Sequence, residues 1–326
     1  MVKQLGSLQS SEELLQEIYI YLRNKINEWA KITHQTAQAR MGYVGQHLVS
    51  VVTGYPGGKS GARGKDLILN SNEYAEIKTC YRVDQLGQCN NCNAVVASIE
   101  DVCSSCGSTD IKRKEDSKWL ITIRNEEEFD KILEPKYYYL VLFDWINLDK
   151  QEDEQRLIRV SIWQVNTLTL GFAYAMIDYY FNIRKFKPNA APFDFWPFSL
   201  KFDLMQGYLV YRSYIDSKNN ITTKLFPGRD QPYQHFPKTL QRYYKSNNLT
   251  KDKLLRLANC LDISTKKSIK KDKLISILDQ KITEQGGFNQ QVTELVTRIL
   301  YWEQIKDHIK SLPTKLRDTL SNNNLI

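Results

Sequence analysis

Asp66, Glu76 and Lys78 are spaced Asp-x9-Glu-x-Lys in the run GARGKDLILNSNEYAEIKTC. Asp66 opens one apolar, strand-like segment, and Glu76 and Lys78 lie two apart in the next. Side chains of a β-strand alternate between faces, so Glu76 and Lys78 share one side while Ile77 points to the other, into a core. The polar Asn70-Ser71-Asn72 stretch would turn the two segments into a tight hairpin. Two carboxylates and one ammonium would then converge, a set suited to metal-assisted hydrolysis of a phosphodiester. Hard carboxylate oxygens of Asp66 and Glu76, with the backbone carbonyl of Ile77, would hold one or two Mg²⁺. Lys78 would position or activate the attacking water and offset phosphate charge. Flanked by two acids, its ammonium is expected to orient the water rather than deprotonate it. The same triplet also fits an ordinary exposed hairpin with a surface salt bridge.

This arrangement resembles the PD-(D/E)XK nuclease superfamily, and that resemblance implies an α/β fold: a mixed sheet flanked by helices. In that superfamily a helix before the hairpin often contributes an acid or amide beside the metals. Gln46 is the matching residue, on a helix expected to run from Gly45 toward Val52. His47 next to it fits either a phosphate contact or a structural role.

Downstream, Cys89, Cys92, Cys103 and Cys106 form CxxC-x10-CxxC, with small or polar neighbours such as Asn90, Asn91 and Gly107. Four thiolates so spaced close a tetrahedral Zn²⁺ shell and leave no open position, so the metal is expected to be structural. A ribbon this short buries no core of its own, and metal binding would supply its folding free energy. Two disulfides or a redox CxxC are the alternatives. No signal peptide is apparent at the start of the sequence, and the composition is that of an intracellular protein, which favours reduced thiols and a cytoplasmic location. Cys80 and Cys260 lie outside the cluster and are expected to be buried hydrophobes.

From Gly42 to about Gly107 the order of elements, GYVGQHLVSVVTG, then GARGKDL, then EIKTCYRVDQLGQCNNC and the second CxxCGS, is similar to the MamI type of restriction endonuclease. The resemblance implies Mg²⁺-dependent double-strand cleavage at an interrupted palindrome, GAT, a gap, then ATC. A symmetric site in turn implies a two-fold homodimer. A repair or recombination nuclease of the same fold would share the active site. A non-catalytic zinc-ribbon DNA-binding regulator would make the triplet accidental.

The segment TGYPGGKSGARGKD ends on Asp66. A phosphate-cradling P-loop needs GxxxxGK[ST], and the position of its first glycine is Thr53, so that motif is excluded. A glycine-rich basic loop suits close approach to a DNA backbone, with Lys59, Arg63 and Lys65 neutralising phosphate; a solvated loop is the plainer reading.

The elements that must position these residues start with a helix over 10–34, opened by a Ser10/Glu13 capping box, with Leu14, Leu15, Ile18, Leu22, Ile26 and Trp29 as a core stripe. After the ribbon, KWLITI, YYYLVLFDWI and LIRVSIWQV read as strands completing the mixed sheet, with Trp119, Tyr138, Phe143 and Trp163 in the core. Residues 170–235 are aromatic and proline-punctuated, and suit recognition, dimerisation or packing alike. In LTKDKLLRLANCLDIS, Leu254, Leu257 and Leu261 share a helical face; the loop STKKSIKKDK and the helix LISILDQKI come next. This stretch resembles a SAP-type module, which implies phosphate contacts from Lys266, Lys267, Lys270 and Lys271. A last amphipathic helix places Leu295, Ile299, Trp302 and Ile305 on one face. The expected organisation is a nuclease domain over 1–235, a zinc ribbon inserted at 87–110 and an all-α module over 236–326.

The chain has 326 residues, 42% hydrophobic, and a formal charge of +8. That excludes a disordered protein and fits one large core plus a smaller domain. No apolar run approaches the roughly 20 residues that span a bilayer, so a soluble protein with no membrane partner is expected. The positive balance favours an anionic partner, double-stranded DNA, because neutralising phosphates releases counterions.

Overall fold

The computed structural model describes residues 3–33, 41–58, 65–97, 100–113, 117–146, 157–197 and 199–326. The chain divides into two compact units, Met1–Trp119 with Tyr139–Trp163 and Leu209–Pro232, and Leu120–Tyr138 with Gln164–Tyr208 and Tyr233–Ile326. In chain order the first part runs α1 (Leu8–Leu14), a π-helical stretch (Leu15–Ile20), α2 (Tyr21–Thr33), α3 (Met41–Thr53), β1 (Leu67–Ile68), β2 (Tyr74–Tyr81), β3 (Gly87–Cys89), β4 (Val95–Val96) and β5 (Ile111–Arg113). The middle runs β6 (Trp119–Ile121), α4 (Glu126–Asp130), β7 (Tyr137–Ile146), β8 (Leu157–Asn166), α5 (Leu170–Tyr179), β9 (Phe193–Phe195), α6 (Leu200–Asp203), β10 (Tyr208–Ile215) and β11 (Ile221–Leu225). The C-terminal part is helical: α7 (Lys251–Cys260), α8 (Lys271–Glu284), α9 (Gln290–Ile305) and α10 (Thr314–Asn322). The protein is therefore mixed α/β.

The first unit is built on a sheet with strand order β1-β2-β7-β8-β10-β11. Its middle strand β7 is buried from Tyr138 through Asp144, as expected of a strand covered on both faces. On the side of α1, Tyr19 packs on Phe143 with ring centroids 4.7 Å apart, and Tyr81 closes the cluster 6.0 Å from Phe143. Trp119 and Trp163 meet edge to face at 6.0 Å, and the Trp119 indole N–H donates to the Val141 carbonyl at 2.9 Å. These four expected core aromatics, Trp119, Tyr138, Phe143 and Trp163, are all buried.

The first helix departs from its expected course in two ways. Its cap is Ser7, whose side chain accepts from the Ser10 N–H, while the Ser10 hydroxyl accepts from the Gln4 N–H at 3.0 Å. With Ser7, Ser10 and Ser11 all near the start, composition alone does not select the cap. The π-helical stretch then widens one turn and rotates α2 relative to a 3.6-residue stripe. Leu15 is buried as expected, Tyr19, Ile20 and Ala30 are buried off that stripe, and Leu22 and Trp29 are 39% and 63% exposed.

In the second unit α5 is buried along nearly its whole length and packs on α9. A Cβ on Gly171 would stand 2.1 Å from the Leu204 carbonyl oxygen, so α5 requires glycine there to pass α6 so closely. The buried face of α9 carries Val292, Val296, Leu300 and Ile305, while the expected Leu295, Ile299 and Trp302 are half-buried. The Tyr174 hydroxyl donates to the Leu325 carbonyl at 2.6 Å and fastens the C-terminal end to α5. Among the described residues no helix is long and apolar enough to cross a membrane.

Candidate active site and metal centre

β1 and β2 pair antiparallel, with Leu67 opposite Ala75 and Ile68 opposite Tyr74. Continuing that register by one residue sets Asp66 opposite Glu76. Facing residues of an antiparallel pair project to the same side with Cβ atoms about 4.5–5.5 Å apart, so both carboxyl groups share one face. The period-two pattern puts Ala75 and Ile77 inside and leaves Glu76 and Lys78 partly exposed. Lys78 Nζ lies 3.3 Å from Glu76 Oε2. Asp66 is held from two directions: Gln46 Nε2 donates to Oδ1 at 2.9 Å, and the Ile77 backbone N–H donates to Oδ2 at 2.8 Å. Asp66, Glu76, Lys78 and Gln46 are thus brought together. His47, the neighbour of Gln46, is exposed.

Burial pushes the Glu76 carboxyl above its ordinary value; Lys78 pulls it down, and Asp66 raises it again by repulsion. Two carboxylates that disfavour each other's charge, with lone pairs left over after the Gln46 and Ile77 bonds, are a donor set that a hard divalent cation fits. The shift has a consequence for stability. Because the folded-state value lies above the unfolded one, protonated Glu76 contributes stability that is complete below about pH 4.5 and is lost as pH rises through the folded-state value. Glu76→Gln removes that burden, so in the absence of divalent metal it should raise stability at pH 7 by about 1 kcal/mol, the usual scale of a single stabilising substitution. Thermal unfolding at pH 7 and pH 4 checks this: the two proteins should differ at pH 7 and converge at pH 4.

The glycine-rich loop serves the chain's own geometry. The Ile68 N–H donates to the Pro56 carbonyl at 3.0 Å, laying the loop along β1. A Cβ on Gly58 would stand 2.3 Å from the Lys65 carbonyl oxygen, and one on Gly57 3.5 Å from that of Asp66. Glycine at 58 is therefore required by contact with the backbone next to Asp66, whatever else approaches the loop. Lys59 and Arg63 lie outside the described residues; Lys65 is exposed, its ammonium 4.5 Å from the centre of the Tyr74 ring. On the other side of β2, α3 comes so near that a Cβ on Gly45 would meet Thr79 Oγ1 at 2.0 Å. Sequence reasoning passed over Thr79, and its only signal is a glycine on the apolar face of a helix otherwise lined by Val44, Leu48, Val49 and Val52.

Beyond β2 the four cysteines converge, with their sulfurs all within 4.8 Å of one another. Cys89 and Cys106 Sγ are 3.6 Å apart and Cys92 and Cys103 Sγ 3.5 Å, close to the roughly 3.8 Å edge of a tetrahedron with 2.3 Å Zn–S bonds. Those spacings are far from a disulfide bond of about 2.05 Å, and the thiols are free. The two halves are built alike. Asn93 N–H donates to the Cys89 carbonyl and Gly107 N–H to the Cys103 carbonyl, each turn ending on a left-handed residue, Asn93 at φ 61° and Gly107 at φ 71°. Hydrogen bonds from the Ser108 backbone and the Asn91 amide lower the Cys106 thiol to about 6. Such a cluster can hold a metal such as zinc. Of the remaining cysteines, Cys80 is buried as expected and Cys260 is exposed.

In the helical part, Lys266, Lys267 and Lys270 are exposed between α7 and α8. Lys271 instead donates to the Tyr244 carbonyl at 2.8 Å. Lys270 is the N-cap of α8 and its side chain makes no capping hydrogen bond, while Asp272 lies in the first turn.

No curated protein and no solved structure matches the chain. The model of the MamI restriction endonuclease family matches residues 28–242, a span that holds the hairpin acids, Lys78, Gln46 and all four clustered cysteines. With well over half of its length in that match, the chain belongs to the MamI restriction endonuclease family.

Proposed function

We propose that the protein is a Mg²⁺-dependent type II restriction endonuclease with a PD-(D/E)XK active site. It would cut both strands of DNA at an interrupted palindrome, GAT, a gap, then ATC, leaving a 5′-phosphate and a 3′-hydroxyl. The observation that carries this reading is the facing of Asp66 and Glu76 across one hairpin with Lys78 beside them, in a chain whose family implies a DNA substrate.

In this mechanism Asp66 and Glu76, with the Ile77 carbonyl, would hold the ion. Mg²⁺, when bound, would supply charge stabilisation at the entering and departing oxygens. Gln46 and the Ile77 N–H fix the Asp66 carboxylate so that both of its oxygens keep their orientation as substrate arrives. Lys78, restrained by Glu76, orients the water for in-line attack at phosphorus. The four cysteines would hold structural Zn²⁺. The segment over 1–235 acts as the nuclease domain, with the ribbon at 87–110 inserted in it, and a homodimer working in the cytoplasm reads the two half-sites.

Residues 236–326 would serve as a second DNA contact. The uncapped start of α8 favours an anion, and Lys266, Lys267 and Lys270 surround it in sequence. If Lys266 and Lys267 each neutralise one phosphate, Lys266→Ala/Lys267→Ala should reduce the slope of log affinity against log salt by about 2 while leaving site preference intact. An unchanged slope places DNA elsewhere.

Digestion of a plasmid with Mg²⁺, followed by sequencing of the ends, tests the whole reading. Discrete bands with 5′-phosphate ends at one recurring site support it. A smear, or nicking confined to damaged or branched DNA, favours a repair nuclease; tight binding with no cleavage favours a regulator.

A further inference from the structure

Gly45 occupies the middle of α3, where glycine is destabilising relative to alanine. A Cβ there would lie 2.0 Å from Thr79 Oγ1 and 3.1 Å from both Thr79 Cβ and Cγ2, well inside the roughly 3.5–4.0 Å of ordinary carbon contacts. Thr79 Oγ1 is itself buried with no hydrogen-bond partner, so the hydroxyl gains nothing from its place as a polar group. What Thr79 does provide is a branched seat directly under Gly45. One residue on from Gly45 in the helix is Gln46, which holds Asp66 Oδ1 at 2.9 Å; one residue back from Thr79 in the strand is Lys78, beside Glu76.

We infer that Gly45 and Thr79 are positioning residues: their contact sets the height of α3 above β2, which keeps Gln46 on Asp66 and the Asp66 carboxylate aimed at the face it shares with Glu76. The inference rests on the active site proposed above. Groups that orient a ligating carboxylate govern metal affinity without touching the metal, so the seat should be felt in ion binding as well as in rate.

The full-length chain with Gly45→Ala should show single-turnover cleavage about 10–100-fold slower at saturating DNA, and Mn²⁺ affinity in the absence of DNA about 10-fold weaker. DNA affinity measured in Ca²⁺ should stay close to that of the parent. Adding Thr79→Gly empties the seat and should restore both rate and Mn²⁺ binding. Combining Gly45→Ala with Gln46→Ala should be no worse than Gln46→Ala alone, because the first acts through the second. Parental cleavage by Gly45→Ala, or losses that multiply with Gln46→Ala, would overturn the inference. If Gly45→Ala does not fold, the Gly45→Ala/Thr79→Gly pair decides: parental Mn²⁺ affinity supports the seat, and a folded pair as weak as Gln46→Ala overturns it. A parent that fails to cut DNA refutes the proposed function, while the Mn²⁺ comparison still judges the seat.

Discussion

Asp66→Ala and Lys78→Ala should each abolish most cleavage while sparing DNA binding. Asp66 faces Glu76 and is held by two hydrogen bonds, so its removal deletes a fixed oxygen donor from the proposed ion site. Charge stabilisation by a catalytic ion is worth several kcal/mol, and at 1.36 kcal/mol per decade its loss slows the reaction by about 10³–10⁴-fold. In the proposed mechanism Lys78 would orient the nucleophile, and removal of a side chain positioned on the reacting group slows reaction by about 10²–10⁴-fold. Binding should respond with a different sign. In the proposed site Asp66 places a negative charge where a phosphate would come, so without divalent metal Asp66→Ala should bind DNA at least as tightly as the parent. Lys78→Ala removes one cation among many and should weaken binding slightly. Single-turnover cleavage with Mg²⁺, compared with binding in a chelator, separates these effects. A Lys78→Ala protein that cuts at the parental rate would falsify the hydrolytic assignment of the hairpin, and equal loss of binding and cleavage would move these residues from chemistry to recognition.

The parts of this site that are legible in the sequence are those governed by local periodicity. Strand alternation alone puts Glu76 and Lys78 on one face and Ile77 on the other, and the Asn70-Ser71-Asn72 turn is short enough to set the register that aligns Asp66 with Glu76. The cysteine spacing is legible for the same reason: each CxxC turn is a local structure closed by Asn93 or Gly107. Contacts made by tertiary approach leave no such mark. Nothing around Gly58 announces that the Lys65 backbone lies against it. Nothing in Leu15–Ile20 announces a π-helical turn, and a stripe counted at 3.6 residues therefore carries Leu22 and Trp29 into solvent. The helical hairpin of α7 and α8 is legible because its apolar residues recur without interruption, and Leu254, Leu257 and Leu261 are buried as their spacing requires.

Removing metal from the cysteine cluster should unfold the ribbon and stop at its base. Cys89, Val96 and Cys103 form the buried centre, with Ala94 and Ile111 packed against it, and the strands β3, β4 and β5 are only 3, 2 and 3 residues long. So small an apolar cluster cannot offset the entropy of ordering the segment, whereas structural Zn²⁺ sites in comparable peptides supply about 10–16 kcal/mol at pH 7. Purified protein should therefore contain about one Zn²⁺ per chain, the count that four thiolates saturate. Chelation, or Cys103→Ser, should abolish hydrogen-exchange protection across β3–β5. Protection in β2 should survive, because the turn that leads out of it is pinned independently. Asp84, in left-handed backbone at φ 56°, accepts from Arg23 Nη2 at 2.8 Å and is paired with the same guanidinium through Nε. Arg23→Ala should break that isolation, so that the same chelation also loosens β2 and the hairpin acids it carries. A metal-free protein whose ribbon amides stay protected would show that the cysteines are not the ribbon's source of stability. Loss that spreads into β2 with Arg23 intact would show that the Arg23–Asp84 pair does not confine it.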